Sequence, residues 1–289
     1  MIADAKKPCN DHGVPAPTRV DAPSSAAAPP LVARVAPTLV ALHGFTQTGA
    51  SWRDMSARLG RSVTAPDLPG HGRHSDERPT DLWGAAEHIC AHIVQNGDRN
   101  ADDGGPVTVD HPAIWIGYSL GGRVLLHVAL AHPELVAGMI LISTTAGIED
   151  PDERAHRRTT DNALADRIER IGVDAFLTEW LEQPLFAGLT VTDVERRERT
   201  SNSAAGLAAS LRSCGTGTQT PLWARLGELD VPTLIVTGTD DHKFTALGKR
   251  LAEGLPSATH RPMAATGHSC AAQRPQEFAV LVGQFIAQF

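Results

Sequence analysis

Short apolar runs that alternate with helix-like segments restrict the fold of this chain more than any other feature. The runs are Thr38–His43, Ala113–Ile116, Met139–Ile142 and Thr233–Val236. Each run is too short for a buried helix, and amphipathic segments such as Leu82–Val94 and Arg123–Ala131 lie between them. Buried strands that alternate with helices predict an α/β fold, with a mostly parallel central sheet flanked by helices.

Residues from about 147 to 225 interrupt this alternation. They contain amphipathic stretches without a strand pattern, at Arg154–Ile171, Val173–Leu181 and Val191–Leu211. The sheet pattern resumes near residue 231. We therefore predict a core formed by residues 37–146 and 226–289, with residues 147–225 inserted as a helical lid. Residues 1–36 are rich in Ala and Pro and have no apolar periodicity, which predicts a disordered leader.

Charge and hydropathy exclude several classes of partner. The net charge is −7, so neither nucleic acid nor an acidic membrane surface is an expected partner. No stretch approaches the roughly 20 apolar residues that span a bilayer, and the first ten residues lack the apolar run of a signal peptide. The four cysteines show no metal-binding spacing and are expected to be reduced thiols. We predict a cytoplasmic protein, and the sequence leaves its oligomeric state open.

The segment Gly117-Tyr-Ser-Leu-Gly121 places a serine between a predicted strand and a predicted helix. This G-x-S-x-G pattern is typical of a nucleophile elbow, in which Ser119 occupies a strained turn and its neighbours must be small. The turn exposes the hydroxyl and directs backbone N–H groups toward developing negative charge. The motif by itself is weak evidence, because a glycine-rich turn with a capping serine has the same pattern.

Candidate partners for the serine follow in the chain order that this fold uses. Asp241 comes after the strand Thr233–Thr237, and His268 comes after a predicted last strand near Ala258–Met263. His268 would accept a proton, and Asp241 would hold its tautomer. Asp240 competes for the acid position, and either aspartate is also suited to cap the next helix.

Two further loops carry polar residues after strands. The loop that begins at His43 is expected to donate an oxyanion N–H from Phe45, beside the N–H of Leu120. The loop Asp67-Leu-Pro-Gly-His-Gly72 follows another predicted strand and is interpreted as turn chemistry. His43, His71 and His74 would suggest a metal site, but the order of the triad explains the fold without one, so we predict neither a metal site nor a cofactor.

Five segments around these residues resemble the 2-succinyl-6-hydroxy-2,4-cyclohexadiene-1-carboxylate synthases, a family of menaquinone-pathway enzymes with the α/β-hydrolase fold. The resemblance extends from about residue 37 to the C-terminus. The lid segments make it far more specific than the elbow, because generic esterases do not share them. The segments are His43–Trp52, Gly117–Arg123, Trp180–Phe186, Gly206–Gln219 with Pro221–Trp223, and Asp241–Phe244.

The resemblance implies a lyase rather than a hydrolase. Such an enzyme abstracts a ring proton next to the succinyl ketone of 2-succinyl-5-enolpyruvyl-6-hydroxy-3-cyclohexene-1-carboxylate and eliminates pyruvate. Ser119 would act as the base, with His268 and Asp241 behind it. The oxyanion hole would stabilise an enolate. No cofactor is implied.

The expected substrate is small and rich in carboxylates, and several residues suit it. Arg123 lies four residues after Ser119, on the same face of the predicted helix, where a guanidinium can bind a carboxylate bidentately. The resemblance also implies substrate contacts from Tyr118 and Trp180. Each of these aromatic rings is equally suited to packing beneath the lid.

Two lid arginines match family positions. These are Arg157, for which Arg158 is a rival, and Arg199. A solvated helix face or an ion pair explains a lid arginine equally well.

The chain departs from the family after its catalytic histidine. The family often has a further His and Glu in the segment that here reads Gly267-His-Ser-Cys-Ala-Ala-Gln-Arg-Pro275. Asp240 also stands where an apolar residue is expected. Both changes put in question the packing around His268, although neither affects a triad residue.

Two other functions remain open at the level of sequence. A serine esterase or thioesterase would use the same triad, although Arg123 and the lid segments count against it. A non-catalytic binding module would not require an intact triad with two oxyanion loops.

Overall fold

The computed structural model describes residue 1, residues 37–96 and residues 112–289. The leader predicted for residues 1–36 therefore lies outside the described residues, except for its first residue. The rest of this section concerns the compact unit from residue 36 onward.

A sheet of five parallel strands lies at the centre and confirms the predicted fold class. The strands follow one another in the sheet in chain order. They are β1 (Leu39–Leu42), β2 (Ala113–Tyr118), β3 (Val136–Ile142), β4 (Thr233–Gly238) and β5 (Ala258–Met263). One expectation was wrong: within the described residues, the segment directly before Asp67 is not a strand and forms only an isolated bridge between Thr64 and Val40.

The register aligns the carboxyl ends of the strands. Leu42 pairs with Gly117, Tyr118 pairs with Ile142, and Gly238 pairs with Met263. Ligand and catalytic groups of open parallel sheets gather at this edge, because the loops that follow the strands all emerge there.

Helices flank the sheet and form the insertion. The helix that follows Ser119 begins at Leu120, three residues before the start of its predicted segment at Arg123, because the elbow turn leads directly into it. The helices are α1 (Arg53–Leu59), α2 (Leu82–Asn96), α3 (Leu120–Ala131), α4 (Pro151–Ile171), α5 (Val173–Leu181), α6 (Asp193–Thr200), α7 (Ala204–Cys214), α8 (His242–Gly254), α9 (Cys270–Gln273) and α10 (Pro275–Ile286).

The apolar core has two layers, one on each face of the sheet. Alternate residues of β1 point to opposite layers, so Val40 packs with α2 and α3 while Leu39 packs with α1 and α10. Helices thus cover both faces of β1 to β4, which explains why these strands read as continuous apolar runs. The edge strand β5 is mostly exposed or half-buried and has no such run.

Helices α4 to α7 lie between β3 and β4 and have an apolar cluster of their own. Ala165, Ile168, Phe176, Leu207, Ala208 and Leu211 form this cluster. The stretch predicted as Val191–Leu211 is two helices, because Ser203 caps α7 through the N–H of Gly206. Among the described residues, no helix is both long and apolar enough to cross a membrane.

Candidate active site

Ser119 occupies a strained turn between β2 and α3. Its backbone angles are φ 51° and ψ −105°, in a region that residues with a side chain rarely adopt. The flanking glycines are required by close packing. A Cβ on Gly121 would lie 2.2 Å from the carbonyl oxygen of Leu42, and one on Gly117 would lie 2.6 Å from Cα of Gly122. The pattern therefore forms an elbow that presents the hydroxyl at the edge of the sheet.

A continuous hydrogen-bond chain connects Ser119 to a carboxylate. Nε2 of His268 lies 3.1 Å from Oγ of Ser119, and Nδ1 of His268 lies 2.9 Å from Oδ2 of Asp241. Asp241 also accepts from the N–H of Phe244 through its other oxygen, so it caps α8 and orients the imidazole at once. Asp240 is exposed and makes no contact with the imidazole.

The loop that carries His268 is held by residues that replace the family pattern. Oε1 of Gln273 accepts from the N–H of Gly267 at 2.6 Å, and its Nε2 donates to the carbonyl of Ala187 in the insertion. The hydroxyl of Ser269 lies 2.8 Å from the phenol oxygen of Tyr118. The loop is therefore fixed to β2 and to the insertion without the missing His and Glu.

The two residues expected to donate oxyanion N–H groups, Phe45 and Leu120, line the cavity that contains Ser119. Leu120 is the first residue of α3, so its N–H has no acceptor within the helix. Phe45 follows β1, and its ring contacts Trp180 with a centroid separation of 5.4 Å. Both residues line the same cavity as Ser119 and His268.

His43 supports the loop of Phe45 from below. Its Nδ1 donates to the carbonyl of Gly44, and its Nε2 accepts from the N–H of Leu68. Burial lowers the pKa of His43, which is consistent with a neutral ring that uses both nitrogens structurally. Both nitrogens of His43 are therefore used in hydrogen bonds to the backbone.

A cavity of about 570 Å³ opens above Ser119, between the sheet edge and the insertion. Tyr118 is almost fully buried at its base, and its hydroxyl is already bonded to Ser269. Trp180 lies in its wall, stacked on Phe176. The Nε1 atom of Trp180 is buried and has no partner among the described residues, so it is available to a bound ligand. Both aromatic residues therefore pack in the fold and also line the cavity.

Two arginines of this cavity are buried without a carboxylate. Arg123 donates to the carbonyl of Cys214 at 2.6 Å, and Arg199 donates to the hydroxyl of Thr46 at 2.9 Å. Within the described parts of the chain, neither guanidinium forms an ion pair. Burial lowers the pKa of both, that of Arg123 to about 10, and each remains cationic at neutral pH. Buried cations that lack a counter-ion favour an anionic ligand.

Arg157 differs from these two. Its Nε lies 2.8 Å from Oδ1 of Asp161, which is buried, while the arginine side chain is 41% exposed. It lines the cavity, whereas its rival Arg158 is not among the described lining residues.

Sequence reasoning missed two further cations at the cavity, on α8. Lys243 and Arg250 line its outer part, and Arg250 pairs with Glu149 at 2.6 Å. Their spacing on one helix face, directly after Asp241, was the available signal. The supporting hydroxyl of Thr46 gave no such signal, because it contacts Arg199 across 153 residues of sequence.

Comparison with known sequences gives a consistent family match. The model of the alpha/beta hydrolase family matches residues 39–281. A protein from Serratia proteamaculans (strain 568) named 2-succinyl-6-hydroxy-2,4-cyclohexadiene-1-carboxylate synthase is 31% identical over 255 residues. The match covers 86% of this chain and 93% of the relative.

Solved structures agree on the fold. The structure of MenH from S. aureus superposes with a TM-score of 0.77 at 30% identity, covering 87% of this chain and 94% of that chain. A thermophilic esterase from Thermogutta terrifontis, with malate bound, has a TM-score of 0.69 at 20% identity, covering 87% and 89%. The second likeness concerns the fold alone.

Proposed function

We propose, from the premise that this chain belongs to the alpha/beta hydrolase family and within it to the 2-succinyl-6-hydroxy-2,4-cyclohexadiene-1-carboxylate synthases, that it is a carbon–oxygen lyase. Its substrate is 2-succinyl-5-enolpyruvyl-6-hydroxy-3-cyclohexene-1-carboxylate. Its products are pyruvate and 2-succinyl-6-hydroxy-2,4-cyclohexadiene-1-carboxylate, an intermediate of menaquinone biosynthesis.

The triad acts as the base in this proposal. His268 accepts the proton of Ser119, and the Ser119 oxygen takes the ring proton next to the succinyl ketone. Asp241 stabilises the resulting imidazolium. The electron pair of the broken C–H bond passes into an enolate, whose oxygen is stabilised by the N–H groups of Phe45 and Leu120.

Elimination then follows from the position of the ring double bond. The enolate returns its electrons to the ring, the double bond shifts, and the C–O bond to the enolpyruvyl group breaks. The leaving group departs as the enolate of pyruvate and becomes pyruvate when its CH₂ carbon is protonated. The ring gains the second double bond of the product, so atoms and electrons balance without an oxidant.

The observation that carries the proposal is the pair of buried guanidiniums, those of Arg123 and Arg199, that line the cavity of Ser119 and form no ion pair within the described residues. The substrate has three carboxylates, on the ring, the succinyl group and the enolpyruvyl group. Arg123 and Arg199 offer charge without a competing acid, and Arg157 offers a third cation at the rim. We assign them, with Tyr118 and Trp180, to substrate binding. An esterase for apolar substrates would not benefit from such cations.

The test is pyruvate release from the enolpyruvyl substrate, followed with a lactate dehydrogenase coupled assay. We expect turnover by the wild-type chain and its loss in Ser119→Ala. Nitrophenyl esters of neutral acids are assayed in parallel. Brisk ester cleavage without pyruvate release would overturn the lyase and select the serine esterase.

A further inference from the structure

Three histidines from two segments of the core lie side by side, and none of them is among the described residues that line the cavity. His74 ends the turn that begins at Asp67, while His88 and His92 are one turn apart on α2. Their ring centroids are 4.4 to 5.0 Å apart, and all three rings are partly buried. One nitrogen of each ring lies within 4.8 Å of the other two.

We propose that His74, His88 and His92 bind a divalent transition metal ion of the zinc class, with water completing the coordination. Imidazole nitrogen is a preferred ligand for Zn²⁺, Ni²⁺ and Cu²⁺. Histidines at positions i and i+4 of a helix present two ligands on one face, and the third comes from a neighbouring turn.

The geometry requires little rearrangement. Tetrahedral zinc with Zn–N bonds of about 2.0 Å separates its nitrogens by roughly 3.3 Å. One nitrogen of each ring already lies within 4.8 Å of the other two, so side-chain rotations that move the ligand nitrogens by roughly 1 to 2 Å would bring them to that spacing.

A backbone carbonyl already orients one of the proposed ligands. Nδ1 of His74 donates to the carbonyl of Asp67 at 2.8 Å, which leaves Nε2 with a free lone pair. Metal-bound histidines commonly have such a partner on the other nitrogen, because it fixes the tautomer and the ring plane.

No ion pair accounts for the cluster. Within residues 37–96 and 112–289, none of the three histidines forms a salt bridge.

The bound ion would join two parts of the core. It would connect α2 to the turn of residues 67–74, which supports the active-site loop through the N–H of Leu68 on His43. The same turn contacts the insertion, because the N–H of Gly72 donates to Asn202. Since none of the three histidines is among the described cavity-lining residues, we assign the ion a stabilising role rather than a step of the reaction.

The test uses the untagged full-length chain, freed of metal with a chelator and titrated with ZnCl₂ by calorimetry. We expect one ion per chain and a rise in the thermal unfolding midpoint with ZnCl₂. His88→Gln and His92→Gln should each lower the affinity by at least about 10- to 100-fold. His156→Gln is the matched control, because His156 is an exposed histidine outside the cluster.

Folding, activity and zinc affinity together distinguish this metal site from its alternatives. Circular dichroism checks that the variants are folded, and pyruvate release is measured on the metal-free wild type, where the proposal expects it to persist. If the wild type binds no Zn²⁺, the site does not exist. If the folded His88 and His92 variants bind Zn²⁺ as tightly as His156→Gln does, the ion lies elsewhere and the proposal is wrong.

Discussion

The sheet edge and the helical insertion contribute to the site by different means. At the sheet edge, Ser119, Asp241 and His268 come from loops that follow aligned strands, and their positions depend on backbone geometry. In the insertion, Arg199 and Arg157 come from helices whose polar surface is otherwise paired or solvated. The order and alignment of the strands therefore bring Ser119, Asp241 and His268 together, whereas the cations that we propose for ligand binding in the insertion depend on how its helices pack.

The largest expected effect tests the sheet edge. Replacing Ser119 with Ala removes the group that accepts the substrate proton, so kcat for pyruvate release should fall by at least about 10³-fold, while KM changes little. Steady-state kinetics with the coupled assay measures both constants. A variant that keeps more than a tenth of the wild-type kcat would show that another group is the base.

The second-largest expected effect tests the two buried arginines that have no carboxylate partner among the described residues. Arg123→Met and Arg199→Met each remove a buried charge that should face a substrate carboxylate, so kcat/KM should fall by about 10²-fold. Lysine at position 199 should restore part of the loss, because it keeps the charge but not the bidentate geometry. Circular dichroism controls for folding, since both side chains are buried. Unchanged kcat/KM in folded variants would assign these arginines to structure alone.

Acid should destabilise the core more than the insertion. Burial lowers the pKa of His71 to about 3 and that of His127 to about 4, from an ordinary 6.5. In the unfolded chain, both imidazoles take up a proton as the pH falls below about 6.5. In the folded chain they do so only near their lowered pKa values, about 3 for His71 and about 4 for His127. Stability is thus complete above pH 6.5 and is lost as the pH falls toward 4, by on the order of 2 kcal/mol for His127.

Urea unfolding between pH 7 and pH 4 measures this loss. His127→Gln removes one titrating ring that packs against Trp83, so its free energy of unfolding should depend less steeply on pH. A variant with the same pH dependence as the wild type would refute the assignment to His127.

The smallest expected effect compares the partly exposed Arg157 with the buried Arg199. Arg157 is partly exposed and already paired with Asp161, so Arg157→Met should lower kcat/KM by about tenfold or less. The kinetics are measured beside those of Arg199→Met at the same ionic strength. A loss larger than that of Arg199→Met would mean that exposure and pairing do not rank the cations of this site.

The sequence predicted much of the site because its signals are local or follow chain order. The elbow glycines flank Ser119 directly, and the acid and the histidine follow their strands in the order of the fold. The choice between Asp240 and Asp241 was open in the sequence. The structure places Asp241 against the imidazole, because the turn into α8 directs only that carboxylate inward.

The sequence predicted the helices and turns around the site less well, because it contains fewer local signals for them. The stretch Val191–Leu211 reads as one amphipathic segment, yet it is broken where Asn202 bonds to the backbone of Thr46 and to Gly72. The predicted strand before Asp67 fails because its segment pairs with β1 at a single bridge. In both cases a contact with a distant segment outweighs the local pattern.

Sequence by itself determined the parallel α/β sheet, the elbow and the order of the catalytic residues, because periodicity and short motifs encode them along the chain. Only the tertiary structure decided which arginine side chains are buried without a carboxylate partner among the described residues. Arg123 meets Cys214 and Arg199 meets Thr46 across 91 and 153 residues, and no spacing in the chain reveals those contacts. The same is true of His74, whose neighbours at 88 and 92 become ring partners only when α2 packs beside its turn. Burial and pairing are properties of packed segments, so they are fixed only when those segments meet.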